Sequence, residues 1–241
     1  MNLPRRLLAE TLGSMLLAAT VVGSGIMADR LAGGNAAVAL LANTGATVAV
    51  LAVLIELLGP VSGAHFNPVV SLAEALRHRL SLPESVAYTA AQVGGCVAGA
   101  VLAHAMFGLP LIQASTHVRA GVAQGLAEFV ATFGLLLVIL GCRRSRDTPW
   151  MVAAWIGAAY WFTSSTSFAN PAITIARSLT NTFSGIRPHD VPVFIAAQLA
   201  GASVAMAVAR VLFSAPLSVA LPDEDVAPAT SSTRLEFGGQ R

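Results

Sequence analysis

SFANPAITIARSLTNTF, Ser167 to Phe183, interrupts a chain that is otherwise apolar enough for a bilayer, and the triplet Asn170-Pro171-Ala172 stands in its middle. Asparagine is a good helix N-cap, and proline is well tolerated at the first helical position, so a helix is expected to begin at Pro171. GAHFNPVV, Gly63 to Val70, carries the same signal at Asn67-Pro68-Val69. The two helices are expected over Pro68–Arg79 and Pro171–Phe183. At about 12 residues each they rise about 18 Å, roughly half of a bilayer's hydrocarbon core.

The surroundings explain why a helix would start at such a depth. Of 241 residues 55% are hydrophobic and 11% charged, and the mean hydropathy of +0.71 exceeds that of soluble domains. Six runs are long enough to span: Leu7–Ala28, Ala36–Leu58, Pro83–Phe107, Ala120–Cys142, Trp150–Thr163 (extending toward Ser167) and Val191–Phe213. In lipid such segments must be helices, because nothing else satisfies their backbone amides. Arg5-Arg6 before the first run also resembles a secretory signal, but Glu10 sits early in that run and no cleavage site of the expected form is clear. With the N-terminus inside, Arg5, Arg6, Arg77, Arg79, Arg143, Arg144, Arg146 and Arg210 fall on the cytoplasmic side, against Arg30, Arg119, Arg177 and Arg187 outside. Both termini are therefore expected in the cytoplasm of a multi-pass protein of the cell (inner) membrane. The net charge of +2 gives no footprint for nucleic acid. Residues 214–241 are polar and are expected to form a disordered tail.

The segments repeat in order. AETLGSMLL (from Ala9) echoes AEFVATFGLLL (from Ala127), the two Asn-Pro segments match, and AAQVGGCVAGAV (from Ala90) echoes AAQLAGASVAMAV (from Ala196). Three spans per half make the second half enter from the opposite side of the membrane. The fold class is thus an all-α membrane protein, with six transmembrane helices plus two re-entrant half-helices in an inverted repeat. The channel domain covers 1–213, with repeats at about 6–107 and 120–213. Both Asn-Pro starts then meet near the midplane. Carbonyls of Gly63, Ala64 and His65, and of Ser167, Phe168 and Ala169, line a lumen as acceptors, with Asn67 and Asn170 as donors. Two positive helix ends at that level repel cations.

Two Asn-Pro boxes at mirrored positions resemble those of the aquaporin/aquaglyceroporin family (major intrinsic proteins), over essentially Arg6 to Phe213. The resemblance implies a homotetramer with one pore per subunit. It also implies that Glu10 and Glu128, matched in the repeat, brace backbone amides of the re-entrant loops; a charge near the headgroups is the other reading, suiting Glu10 better than Glu128. Matched Gln92 and Gln198 are expected to bond between helices, and His65 to line the pore. Val69 departs from the family's usual alanine. The family's four filter positions, counted from the asparagines, fall on Thr47, Ala158, Ser167 and Ile173. That ring has no aromatic and no charge, so it is expected to be wide. Arg177, four residues beyond Ile173, falls by the outer mouth, unless an inserted turn slides it into the ring. NPAITIARSLTNTFSGIRP resembles a bacterial branch of the family associated with arsenic resistance. That likeness implies passage of uncharged trivalent arsenic (arsenite), a glycerol-like solute.

The expected function is a passive channel for small neutral solutes, including arsenite, polyols and some water. A water-selective channel and a secondary transporter are the alternatives. The open filter speaks against the first, and the lack of ion-relaying groups at the midplane against the second. No nucleophile–base pair or metal cluster stands in the spans, so neither enzyme activity nor a cofactor is expected. Cys96 and Cys142 form no disulfide framework.

Overall fold

Apolar runs bounded by good caps become helices, and among the described residues every regular element is helical. A computed structural model describes residues 2–142 and 145–213; Arg143 and Arg144, counted above for orientation, and the tail expected at 214–241 lie outside them. Helix α1 (Leu3–Leu31) is capped by Asn2, and α2 (Ala36–Ser62) by Asn35, whose Oδ1 accepts from the amides of Ala37 and Val38. Half-helix α3 (Pro68–Leu76) leads to α4 (Leu82–Met106), opened by a capping box between Ser81 and Glu84. The second half follows the same plan: α5 (Val122–Gly141), α6 (Thr148–Phe162), half-helix α7 (Pro171–Arg177) and α8 (Val191–Leu212).

Packing shows the repeat. Helix α1 packs on α2 and α4, α5 packs on α6 and α8, and α2 meets α6 across the halves. Gly95 and Gly201, matched in the repeat, sit where these helices cross. A Cβ on Gly95 would lie 2.4 Å from the carbonyl oxygen of Thr11, and one on Gly201 2.3 Å from that of Phe129. Gly94, in contrast, faces open space. Gly201→Leu should force α5 and α8 apart, lowering the thermal midpoint in detergent by an amount equivalent to about 1–3 kcal/mol or more. An unchanged midpoint would mean the crossing can relax.

Three segments fall short of the lengths expected from the sequence. Among the described residues five helical segments are long and apolar enough to cross a membrane. The sixth, α6, has 15 residues and rises about 22 Å, short of the roughly 30 Å needed. It stops because Thr163 turns extended (φ −106°, ψ 138°), and the chain then runs without helix to Asn170. The half-helices are also shorter than expected, at 9 and 7 residues. His78, in the left-handed region (φ 59°), ends the first. The second ends where the chain folds back, the Arg177 carbonyl accepting from the amide of Ile186 at 3.1 Å.

Candidate functional site

Each re-entrant loop is held by one buried carboxylate. Glu10 accepts from the amides of His65 (3.0 Å) and Phe66 (2.7 Å), from Ser62 Oγ (2.6 Å) and from Gln92 Nε2 (2.7 Å). Glu128 accepts from the amides of Phe168 and Ala169 (both 2.8 Å) and from Gln198 Nε2 (2.6 Å). Gln92 also donates to Ser71 Oγ, and Gln198 to Thr174 Oγ1, each at 2.9 Å. Both carboxylates are fully buried. Such geometry is needed because these loops are strained. Ala64 (φ 49°) and Phe66 (φ 48°) match Ser167 (φ 51°) and Ala169 (φ 48°), all in the left-handed region that a Cβ disfavours by about 1–2 kcal/mol per residue. Charge-assisted bonds from the same stretch of amides offset that cost.

The asparagines join the halves. Asn67 Oδ1 accepts from the Val69 amide (3.1 Å), and its Nδ2 donates across to the Ala169 carbonyl (2.8 Å). Asn170 Oδ1 accepts from the amides of Ala172 (2.9 Å) and Ile173 (3.3 Å), while its Nδ2 donates to the Phe66 carbonyl (2.8 Å). Each amide keeps a second hydrogen, and both residues line a cavity. Val69 is buried behind this junction.

The cavity has a volume of about 290 Å³. Its end beside α3 is lined by Glu74, Arg77, Arg79 and Thr148, with Glu74 paired to Arg77 at 2.6 Å. Gly63, Ala64, His65, Ser167, Phe168 and Ala169 line its middle, and the His65 ring nitrogen Nδ1 lies 3.0 Å from Ser71 Oγ. Thr47, Ile173, Arg177 and Tyr160 line the far end.

Tyr160 corrects the expected ring. Ala158 is exposed on the other side of α6 and does not line the cavity. Two residues along a helix turn by about 200°, so Ala158 and Tyr160 face opposite ways. The Tyr160 hydroxyl lies 3.3 Å from Thr47 Oγ1 on the neighbouring helix α2, and both residues line the cavity. An aromatic side chain therefore lines the cavity where alanine was expected. Counting back from Asn170 failed because the count crosses the non-helical stretch 163–169. The signal that finds Tyr160 is periodicity: Thr148, Val152, Ile156 and Tyr160 recur every four residues and all line the cavity, as do Thr47, Leu51 and Ile55 on α2. Sequence reading also missed the charged end at Glu74, Arg77 and Arg79.

A charge also lines the cavity. Arg177 is buried and lines the same cavity as Ile173. Its guanidinium lies over the Phe168 ring at 3.3 Å from the centroid, and its Nε donates to the Ser184 carbonyl. Arg119 stands over the same ring at 5.1 Å and donates to the carbonyls of Gly185 (2.8 Å) and Ser165 (3.1 Å). Nearby His117 has its imidazole pushed below the usual range, first by burial and then by the charges of Arg119 and Arg177. Among the described residues no group of three metal-ligating side chains occurs, and none of them forms a disulfide.

Residues 1–163 match the family described as Major intrinsic protein, a stretch that ends before the second Asn-Pro box. The chain is 58% identical over 211 residues to the aquaglyceroporin AqpS of Rhizobium meliloti (strain 1021), covering 87% of this chain and 90% of that one. It is 33% identical over 155 residues to aquaporin A of Dictyostelium discoideum, covering 57% and 54% respectively. Among solved structures, the aquaglyceroporin from Plasmodium falciparum superposes with a TM-score of 0.66 at 20% identity, covering 88% of this chain and 97% of that one. At that identity the structural likeness speaks for the fold.

Proposed function

Because the chain belongs to the major intrinsic protein family, whose members are membrane channels, we propose that it conducts glycerol-like polyols, uncharged trivalent arsenic as arsenite, and some water. As a member of that family it is a channel for small neutral solutes. The polyol and arsenite reading is carried by the cavity of about 290 Å³, which runs past both asparagines and meets Ile173 where the family usually has arginine. Solutes bearing several hydroxyls exchange water for the loop carbonyls around Gly63 and Phe168 and for the free hydrogens of Asn67 and Asn170. The arsenic assignment rests on the likeness of Asn170–Pro188 to the arsenic-resistance branch.

In this proposal residues 1–213 form one channel unit, Thr47, Tyr160, Ser167 and Ile173 form its narrow ring, and Glu10 and Glu128 hold the loops. Transport is passive and involves no chemical step. The protein sits in the cell membrane with both termini cytoplasmic and assembles as a homotetramer through its exposed apolar helix faces, among them Val53 and Leu57 on α2. The Tyr160–Thr47 contact favours a second reading, a water-selective channel, since it narrows the ring more than alanine would.

Uptake of arsenite, glycerol and water in one proteoliposome preparation tests the proposal. Glycerol and arsenite should equilibrate at rates well above those of empty vesicles, and neither should rise above the outside concentration under a proton or sodium gradient. Water flux alone would establish the second reading. Accumulation against a gradient would point to a coupled transporter.

A further inference from the structure

Arg177 has a surplus that the loop architecture does not explain. It is buried, yet among the described residues it forms no ion pair, and the carboxylate of Glu128 is already engaged by two loop amides and Gln198. Among the described residues only its Nε has an acceptor, the Ser184 carbonyl. A cation at the end of a half-helix suits the negative dipole end there. A purely structural arginine, however, would direct its terminal nitrogens at carbonyls, as Arg119 does at Ser165. A buried charge with one hydrogen bond is costly unless something else solvates it. Arg177 lines the cavity, so its terminal nitrogens are left for whatever fills that space.

We propose that Arg177 is the fixed cation of the conduction path, set one helical turn beyond Ile173, so that charge is rejected at one level and size at another. The proposal rests on the channel reading above. One turn of α7 separates the two levels by about 6 Å. At the first level Ile173, Tyr160 and Thr47 set the width. At the second, the Phe168 face and the Ser184 carbonyl fix the guanidinium plane, and Arg119 adds a second positive charge over the same ring. Neutral hydroxylated solutes receive donors there, whereas cations meet a fixed charge with no counterion. Moving the charge off the narrowest ring leaves that ring wide without opening it to ions.

The test is potassium conductance per inserted channel in proteoliposomes, with glycerol flux read in the same vesicles. Arg177→Gln keeps a donor for Ser184 and removes the charge. It should raise potassium conductance by about tenfold or more, the least expected of a unit charge a few ångströms from the path. Arg177→Lys should stay as tight as the original protein near neutral pH. A glutamine variant that passes glycerol but no more potassium than the original would overturn the proposal, as would a lysine variant that leaks equally. Should the glutamine variant fail to insert, the lysine variant decides alone: its conductance should rise as alkaline pH discharges the amine, and a flat profile to about pH 11 would overturn the assignment. An unsubstituted protein passing neither water nor glycerol would overturn the channel reading itself, and this proposal with it.

Discussion

Glu128→Ala should abolish flux of every solute and lower stability by at least about 3 kcal/mol, because it strips acceptors from two backbone amides and a glutamine at once. Those amides, of Phe168 and Ala169, belong to buried residues and are turned to the Glu128 carboxylate. The left-handed conformations of Ser167 and Ala169 would lose the bonds that hold them, and the Ala169 carbonyl would no longer be presented to Asn67. Glu128→Gln keeps one acceptor oxygen but turns a donor toward the other amide, so it should fall between the two. Glu10→Ala should behave alike from the other half, since Glu10 serves the matched amides of His65 and Phe66. Thermal unfolding in detergent and stopped-flow water flux measure both effects. An alanine variant at Glu128 with the original midpoint and flux would show that the loop is held by something else.

Ile173→Arg should cut glycerol and arsenite flux by about tenfold or more, the equivalent of roughly 1.4 kcal/mol in barrier height, while water flux falls less. Ile173 lines the cavity beside Asn170, and its replacement adds length, a plane and five donors at the narrow ring. The new guanidinium would also stand one turn from Arg177, adding like-charge repulsion in a site with no carboxylate counterion. Water, being smaller than any polyol, keeps a route past it. Equal loss of water and glycerol flux, at equal membrane abundance, would mean that the substitution collapses the pore rather than narrowing it.

What could be read from the sequence was whatever a helix or a repeat carries locally. Asn-Pro is a complete signal for a helix start, since cap and first residue are adjacent, and both starts are where the triplets put them. The matched pairs Glu10 and Glu128, Gln92 and Gln198 were legible because the repeat prints them twice. Helix ends were not: α3 and α7 stop early through tertiary turns at His78 and at the Arg177–Ile186 bond, which no local pattern announces. Ala158 was chosen by a count that crosses residues 163–169, where a fixed angle per residue no longer applies. Tyr160 was within reach, because the four-residue period from Thr148 stays inside one helix. The burial of Arg177 was out of reach, since it depends on Phe168 and Ser184, which only folding brings together.

The crossed bonds at the junction bear on the order of synthesis. Asn67 leaves the ribosome 102 residues before Ala169, its acceptor, and Phe66 emerges 104 residues before Asn170, its donor. At about 5–20 residues per second the wait is about 5–20 s. Throughout it, the amino-terminal half has an amide and a carbonyl unpaired at a depth where lipid offers no partner. Half-helix α3 therefore cannot rest against acyl chains as a finished unit. It has to stay hydrated, or beside the insertion machinery, until its mirror image is made, so membrane insertion of this chain is a joint event of its two halves.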